Sequence, residues 1–313
     1  AGPHITPSLT GHSRHENVVF LGNGASYASL VDLHLALHGI NWYHYRMYSR
    51  ISCSSQNWQG EGWWGNEMIK LAVSGTEGAS NVSVLMDPHH TLNFTYSAGA
   101  WTCDDGYPFS LIFSSGSDEY TMTRIDGLAY TFHDKDHTNS GKLKRIEDPF
   151  DNDQAFTYNG SNQLSDIVVD VVDGNDHKIT YSYFTSGDNN GLLQYIKAYK
   201  STTTTDANLI AQVECQYHSS TSDDYGLEDD LMKAIVTRKA THDGDGVLSI
   251  EELYHYRYYK GTWNQTTNPG TNHQLRYVLL PENADRLGSP LSQSNATFGA
   301  YANVIFKYEQ RSG

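Results

Sequence analysis

Cysteine is scarce in this chain of 313 residues: Cys53, Cys103 and Cys215 are its only thiols, and no two form a C-x-x-C pair. An odd number excludes a complete disulfide framework, and Cys53 with Cys103 is the one pairing to consider. Cations are scarce too, with 21 Lys and Arg against 36 Asp and Glu, a net charge of −15. Phosphate recognition needs a basic face, so nucleic acid is excluded as a partner. The acidic balance fits a soluble surface protein or bound cations. No apolar run reaches the ~20 residues of a membrane-spanning helix. SLIF and DIVVDVV are strand-sized, so no membrane insertion is expected. The signatures of hydrolytic catalysis, G-x-S-x-G, H-E-x-x-H and a Cys/His nucleophile pattern, are missing. The opening AGPHITP holds neither Met nor a basic-then-apolar leader, which reads as a processed or excised chain.

Aromatics are plentiful, and 22 of them are Tyr, which favours sheet over helix bundle. They recur in a phrase. Two residues spaced by two are followed by a Gly/Asn/Asp/Ser loop and then by two aliphatics spaced by three. Tyr130 and Phe132 lead to Leu143 and Ile146; Phe156 and Tyr158 to Leu164 and Ile167; Tyr181 and Tyr183 to Leu193 and Ile196. Cys215 and Tyr217 then lead to Met232 and Ile235, and Tyr254 and Tyr256 to Leu275 and Val278. Phe306 and Tyr308 open a further unit, which is incomplete. Residues two apart on a strand share a face, so each phrase reads as a β-hairpin with one buried side. A single hairpin is marginal in water and must stack on its neighbours. The expected fold is all-β: stacked antiparallel hairpins forming a curved, spiralling sheet. One or two short helices are expected in a late insertion, at Pro281–Gly288 and Asn295–Ala302.

The expected organisation has three parts: an N-terminal arm over 1–17, flexible or exchanged; a β region over 18–128; and about five hairpin repeats over 129–313. In the β region, Leu33, Leu35 and Leu37 alternate with His34, Ala36 and His38. Trp42, His44 and Arg46 are expected on one face of a strand, with Tyr43, Tyr45 and Met47 on the other. Asp32 is expected to share a face with His34 and His38.

Several segments invite a chemical reading. Gly60-Glu-Gly-Trp-Trp-Gly65 matches a dinucleotide-binding expression, but two Trp in the loop and an all-β setting favour a turn that buries a Trp. Thr241, Asp243, Asp245, Ser249 and Glu252 fall at positions 1, 3, 5, 9 and 12 of a calcium loop, with Gly246 at position 6. Asp243, Asp245, Ser249 and Glu252 are therefore candidate calcium ligands; a Gly/Asp-rich hairpin tip is the alternative. His133 and His137 have metal-like spacing within a loop. Glu228, Asp229 and Asp230 read as a solvated loop, Asn81, Asn93, Asn159, Asn264 and Asn295 head N-x-[ST] sequons, and no catalytic residue or organic cofactor is expected.

The repeats, Y-x-Y, a Gly-bearing loop and an aliphatic pair, resemble the Rhs/YD-repeat family. VDLHL at 31–35, GINWYHYRMYSR at 39–50 and GEGWW at 60–64 are similar to the N-terminal Rhs-type segment, in the bacterial, planctomycete-like form. The resemblance covers residues 18–313. It implies a shell of stacked hairpins, and relatives that encapsulate toxins or build cell-surface structures. Asp87-Pro88-His89-His90 and Asp148-Pro149-Phe150-Asp151 do not fit the family's D-P-x-G cleavage motif, which counts against toxin encapsulation.

The expected function is a non-enzymatic extracellular or cell-surface scaffold of YD repeats. It would assemble into fibres by head-to-tail strand exchange or form part of a larger shell. The partners are copies of itself or the remainder of a longer chain. The first alternative is a carbohydrate-binding or adhesion module that presents Trp42, Trp58, Trp63, Trp64 and Trp101 to glycans. A polysaccharide hydrolase or a fragment of a toxin shell ranks below it.

Overall fold

The computed structural model describes residues 18–20, 25–35, 37, 40–49, 58–170, 176–219, 224–239 and 248–308. They form three antiparallel sheets, each built in chain order. The first contains β1 (Val18–Phe20), β2 (Ala25–Leu35), β3 (Trp42–Ser49) and β4 (Trp63–Gly65). The second contains β5 (Lys70–Val73), β6 (Val82–Asp87), β7 (His90–Ser97) and β8 (Ala100–Cys103). The third has thirteen strands. These are β9 (Phe109–Ser114), β10 (Glu119–Arg124), β11 (Ala129–His133), β12 (Leu143–Glu147), β13 (Asp153–Tyr158), β14 (Leu164–Asp170) and β15 (His177–Tyr183). They continue as β16 (Leu193–Tyr199), β17 (Leu209–Tyr217), β18 (Leu231–Arg238), β19 (Ser249–Tyr258), β20 (Leu275–Leu279) and β21 (Val304–Ile305). The fold is all-β with open sheets. Two short helices, α1 (Pro281–Leu287) and α2 (Asn295–Tyr301), sit between β20 and β21. Pro281 starts α1 and Gly288 caps it, while the Ser294 hydroxyl accepts from Thr297 N–H at the start of α2.

The three sheets share one apolar core, which runs from Ala28 through Val84 and Phe94 to Val304. The large sheet begins at Phe109, so its first two strands belong to the segment read from sequence as a separate β region. The second sheet is joined to it where Leu71 N–H donates to Gly141 O at 2.7 Å. Gly141 has φ +66°, and a Cβ there would come within 1.9 Å of Leu71 O, so only glycine permits this approach.

The repeat core is buried as a set. Phe132, Leu143, Ile167, Leu193 and Ile196 are fully buried; Tyr130, Phe156, Leu164 and Tyr181 nearly so. Ile146, Tyr158 and Tyr183 are half-buried against the same core. The register repeats as well. A bulge falls immediately before Phe132, Tyr158, Tyr183, Tyr217 and Tyr258, opposite Leu143, Leu164, Leu193, Leu231 and Leu275. A bulge re-aims the side chain beside it. Here it turns each tyrosine toward the preceding unit. Tyr158 OH donates to Leu143 O at 2.7 Å, Tyr183 to Leu164 at 2.6 Å, Tyr217 to Leu193 at 2.9 Å, Tyr258 to Leu231 at 2.9 Å and Tyr308 to Leu275 at 2.9 Å. This tyrosine ladder satisfies a carbonyl that each bulge leaves outside the regular pairing.

The ladder corrects two sequence assignments. The aliphatic pair of the fourth unit is Leu231 and Ala234, both fully buried, and Met232 and Ile235 lie on the other side. A slip of one residue reverses the faces of a strand, so adjacent apolar residues mislead. In the fifth unit, Tyr256 and Tyr258 take the places assigned to Tyr254 and Tyr256.

Candidate functional site

The densest group of ionisable side chains lies between the first sheet and the large sheet. Alternation along β3 turns Trp42, His44, Arg46 and Tyr48 inward, with Tyr43 and Tyr45 half-buried on the opposite side. On β2 a bulge between Val31 and Leu33 interrupts the alternation. It turns Asp32 into the interior and leaves His34 exposed, so the expected shared face of Asp32 and His34 does not form; His38 lies outside the described residues.

Asp32 accepts two bonds from Arg46, from Nε at 2.5 Å and from an Nη at 2.7 Å. The same Arg46 donates to Tyr256 OH at 2.9 Å. Its guanidinium lies 5.2 Å from the Trp63 ring centroid and 5.3 Å from that of Tyr256. His44 sets Nδ1 2.5 Å from Glu67 Oε1 and Nε2 3.6 Å from Asp32. Tyr181 OH donates to Glu67 Oε1 at 2.7 Å, and an Arg238 Nη donates to Asp32 O at 2.7 Å. Strands β2, β3, β15, β18 and β19 and the 3-10 turn Asn66–Met68 thus meet in one polar network.

Asp32, His44 and Arg46 are 0% exposed. Burial works against the Arg46 charge, but Asp32, Tyr256, the hydrogen bond to Asp32 and Cys215 together outweigh it and hold the guanidinium protonated. Burial first, then Glu67, raises the Tyr181 phenol well above its ordinary range. Burial pushes the neighbouring Cys215 thiol up to about 12, with Arg46 opposing. A general acid or base must reach the proton it moves, and Asp32, His44 and Arg46 lie inside the fold, away from its surface. What the network can do chemically is hold two sheets together with directional, charge-assisted bonds.

The other candidate residues are dispersed. Ser249 and Glu252 lie on β19, where Glu252 accepts from the Tyr254 hydroxyl and sits 3.5 Å from Arg238. Asp243 and Asp245 fall outside the described residues, as do the expected arm over 1–17 and Cys53. Cys103 and Cys215 are buried free thiols. The rings of His133 and His137 stack 4.1 Å apart, and no group of three metal-ligating side chains occurs among the described residues. Glycines 60–65 end in strand β4 and a 3-10 turn, so the helix that a dinucleotide motif requires is not formed there.

Two expectations are overturned. The Trp platform does not exist as an exposed surface: Trp42, Trp63 and Trp64 are buried, and Trp58 and Trp101 pack half-buried against the core. Large aromatic area is worth more inside than in water, and each sits at an inward position of its strand or turn. Asp230 is not in a solvated loop. It is fully buried, accepts from Leu227 N–H at 2.8 Å and lies 3.1 Å from His273 Nδ1. Burial raises its carboxyl above the ordinary range, and His273 opposes the rise. No sequence signal distinguished Asp230 from Asp229 beside it.

No family model matches this chain, and no curated protein matches it. Solved structures with partial likeness include a crystal structure of TcdB2-TccC3, at 11% identity and a TM-score of 0.44, with 79% of this chain and 17% of that chain covered. TcdB2-TccC3-TEV gives 12% identity and a TM-score of 0.42, covering 84% and 17%. The N-terminal domain of effector protein SpvB from Salmonella typhimurium strain LT2 gives 13% and 0.36, covering 79% and 96%. The chain thus spans about a sixth of the first two, and its structural neighbours stand at low identity and partial overlap.

Proposed function

We propose that this chain is a non-enzymatic scaffold of YD-type repeats. The observation that carries the reading is the fate of its ionisable cluster. Asp32, His44 and Arg46 have the residue types of a catalytic constellation, yet all are sealed and used to bridge sheets. The thirteen-stranded ladder supports the same reading, because each hairpin contributes mainly a surface for the next. The scaffold works outside the cell or at its surface, as the family resemblance implies. It joins copies of itself or the rest of a longer chain through its sheet edges, since an edge strand offers its N–H and C=O groups to another strand.

Two measurements on the purified protein test this. A panel of polysaccharides is expected to release no reducing ends, and release above buffer overturns the non-enzymatic reading. Negative-stain images are expected to show filaments or multi-copy particles. Isolated particles at every concentration overturn the assembly reading.

A further inference from the structure

We propose that a cavity on the outer face of the large sheet, between β19 and the helical insertion, is a binding site for a small organic carboxylate. Such a site goes beyond the scaffold reading and stands whether or not copies of the chain assemble.

The cavity holds about 320 Å³, at the lower end of the range of small-molecule sites. Alternation along β19 sends Tyr254, Tyr256 and Tyr258 into the core, which leaves His255 and Arg257 on the opposite face. Both line the cavity, yet each is only 2% exposed, because the insertion covers this part of the sheet. Leu291, in the 3-10 turn Pro290–Ser292, and Phe298, on α2, line it from the insertion. Met232 on β18 and Tyr225 just before that strand complete the lining used here. Leu291 is 43% exposed and stands where the cavity meets solvent.

Arg257 is held in place. It donates to Asn295 Oδ1 at 3.0 Å, to Pro290 O at 3.0 Å and to Gln293 O at 2.6 Å. Its guanidinium lies 3.5 Å from the Tyr225 ring centroid and 4.1 Å from that of Phe298. The result is a fixed positive charge in the cavity wall. His255 is the opposite case: neither of its ring nitrogens has a hydrogen-bond partner. Buried polar groups are ordinarily bonded, so a ligand atom in the cavity is the missing partner.

Charge decides what that atom is. Burial keeps the imidazole neutral, so it has one N–H to donate. The charges that act on it, from Lys233 and Arg257, are both positive. A negatively charged acceptor gains from the N–H and from this field, whereas a cation is repelled. Asp224 also lines the cavity, but it is exposed, and solvent screens it. Met232, Leu291 and Phe298 supply apolar surface beside the polar groups. A carboxylate on a small hydrophobic body fits both.

Saturation-transfer NMR on the full chain tests the site with benzoate, benzyl alcohol and benzamidine, which share a ring and differ in charge. Benzoate is expected to bind at concentrations up to about 10 mM, and the neutral and cationic probes about tenfold more weakly or worse. His255→Phe keeps a ring and removes the donor, and is expected to weaken benzoate binding about 10–100-fold. His255→Gln keeps an N–H and is expected to retain more of the affinity. Leu291→Trp, at an exposed position, fills the cavity and is expected to abolish binding at unchanged circular dichroism and melting temperature. Equal binding of the three probes overturns the carboxylate assignment. Benzoate affinity unchanged in either folded variant, His255→Phe or Leu291→Trp, overturns the site, as does a wild type that binds no benzoate.

Discussion

Replacing Arg46 with Met separates a structural role for the buried network from an idle one. The substitution keeps the aliphatic stem and removes two bonds to Asp32, one to Tyr256 and the contacts with two rings. Asp32 stays 0% exposed, so its carboxylate is left buried without its cationic partner. Removing one partner of a buried ion pair costs about 3–5 kcal/mol. Unfolding entropy of about 2.1 cal/mol/K per residue comes to roughly 660 cal/mol/K for 313 residues, so the midpoint falls by ~5–8 °C. Calorimetry reads the shift. Hydrogen exchange is expected to rise most at 28–35 and 42–49, the strands that the network fastens. The double variant Asp32→Leu/Arg46→Met removes both charges and is expected within about 1–2 kcal/mol of the wild type. A single variant costing under ~1 kcal/mol, or a double variant as unstable as the single, would refute the argument.

Three further outcomes follow. Tyr217→Phe leaves the buried Leu193 carbonyl without its donor and is expected to cost about 1–2 kcal/mol, read by urea denaturation. Burial, then Lys233 and Arg257, pushes His255 down from 6.5 to about 4. The unfolded chain therefore takes up a proton that the folded chain refuses as pH drops from 6.5 toward 4. Its contribution is constant above that window and falls by ~3 kcal/mol across it, and His255→Phe should flatten this part of the pH–stability profile. Millimolar calcium is expected to raise the melting midpoint if Asp243, Asp245, Ser249 and Glu252 bind it, with the rise lost in Glu252→Gln; an unchanged midpoint in the wild type removes calcium.

Much of the fold was legible because it obeys a period of two. Aromatic pairs such as Phe156 and Tyr158, and aliphatics such as Leu164 and Ile167, mark their own buried faces. The two helices were legible from Pro281, Gly288 and their place in a long insertion. What escaped was everything a bulge controls. An extra residue in one strand has no compositional signature, so the inward turn of Asp32, the leucine opposite Tyr217 and the tyrosine ladder were hidden. Adjacent apolar residues at Leu231 and Met232 made the slip easy. The Trp residues misled for another reason: a large aromatic suits a glycan platform and a core equally well, and only burial separates the two.

An interior closed to solvent around Asp32 and Arg46 is what makes this chain a scaffold. Cys215 lies in that interior at 1% exposure, with its thiol pushed up to about 12. Pulse labelling with a maleimide at neutral pH, read residue by residue by mass spectrometry, reports on it directly. Cys215 is expected to react no faster than the protein unfolds globally, and at the same rate in any buffer that leaves that unfolding rate unchanged. Rapid labelling of Cys215 in the folded protein would reveal a path from solvent to the charged cluster and contradict the scaffold reading.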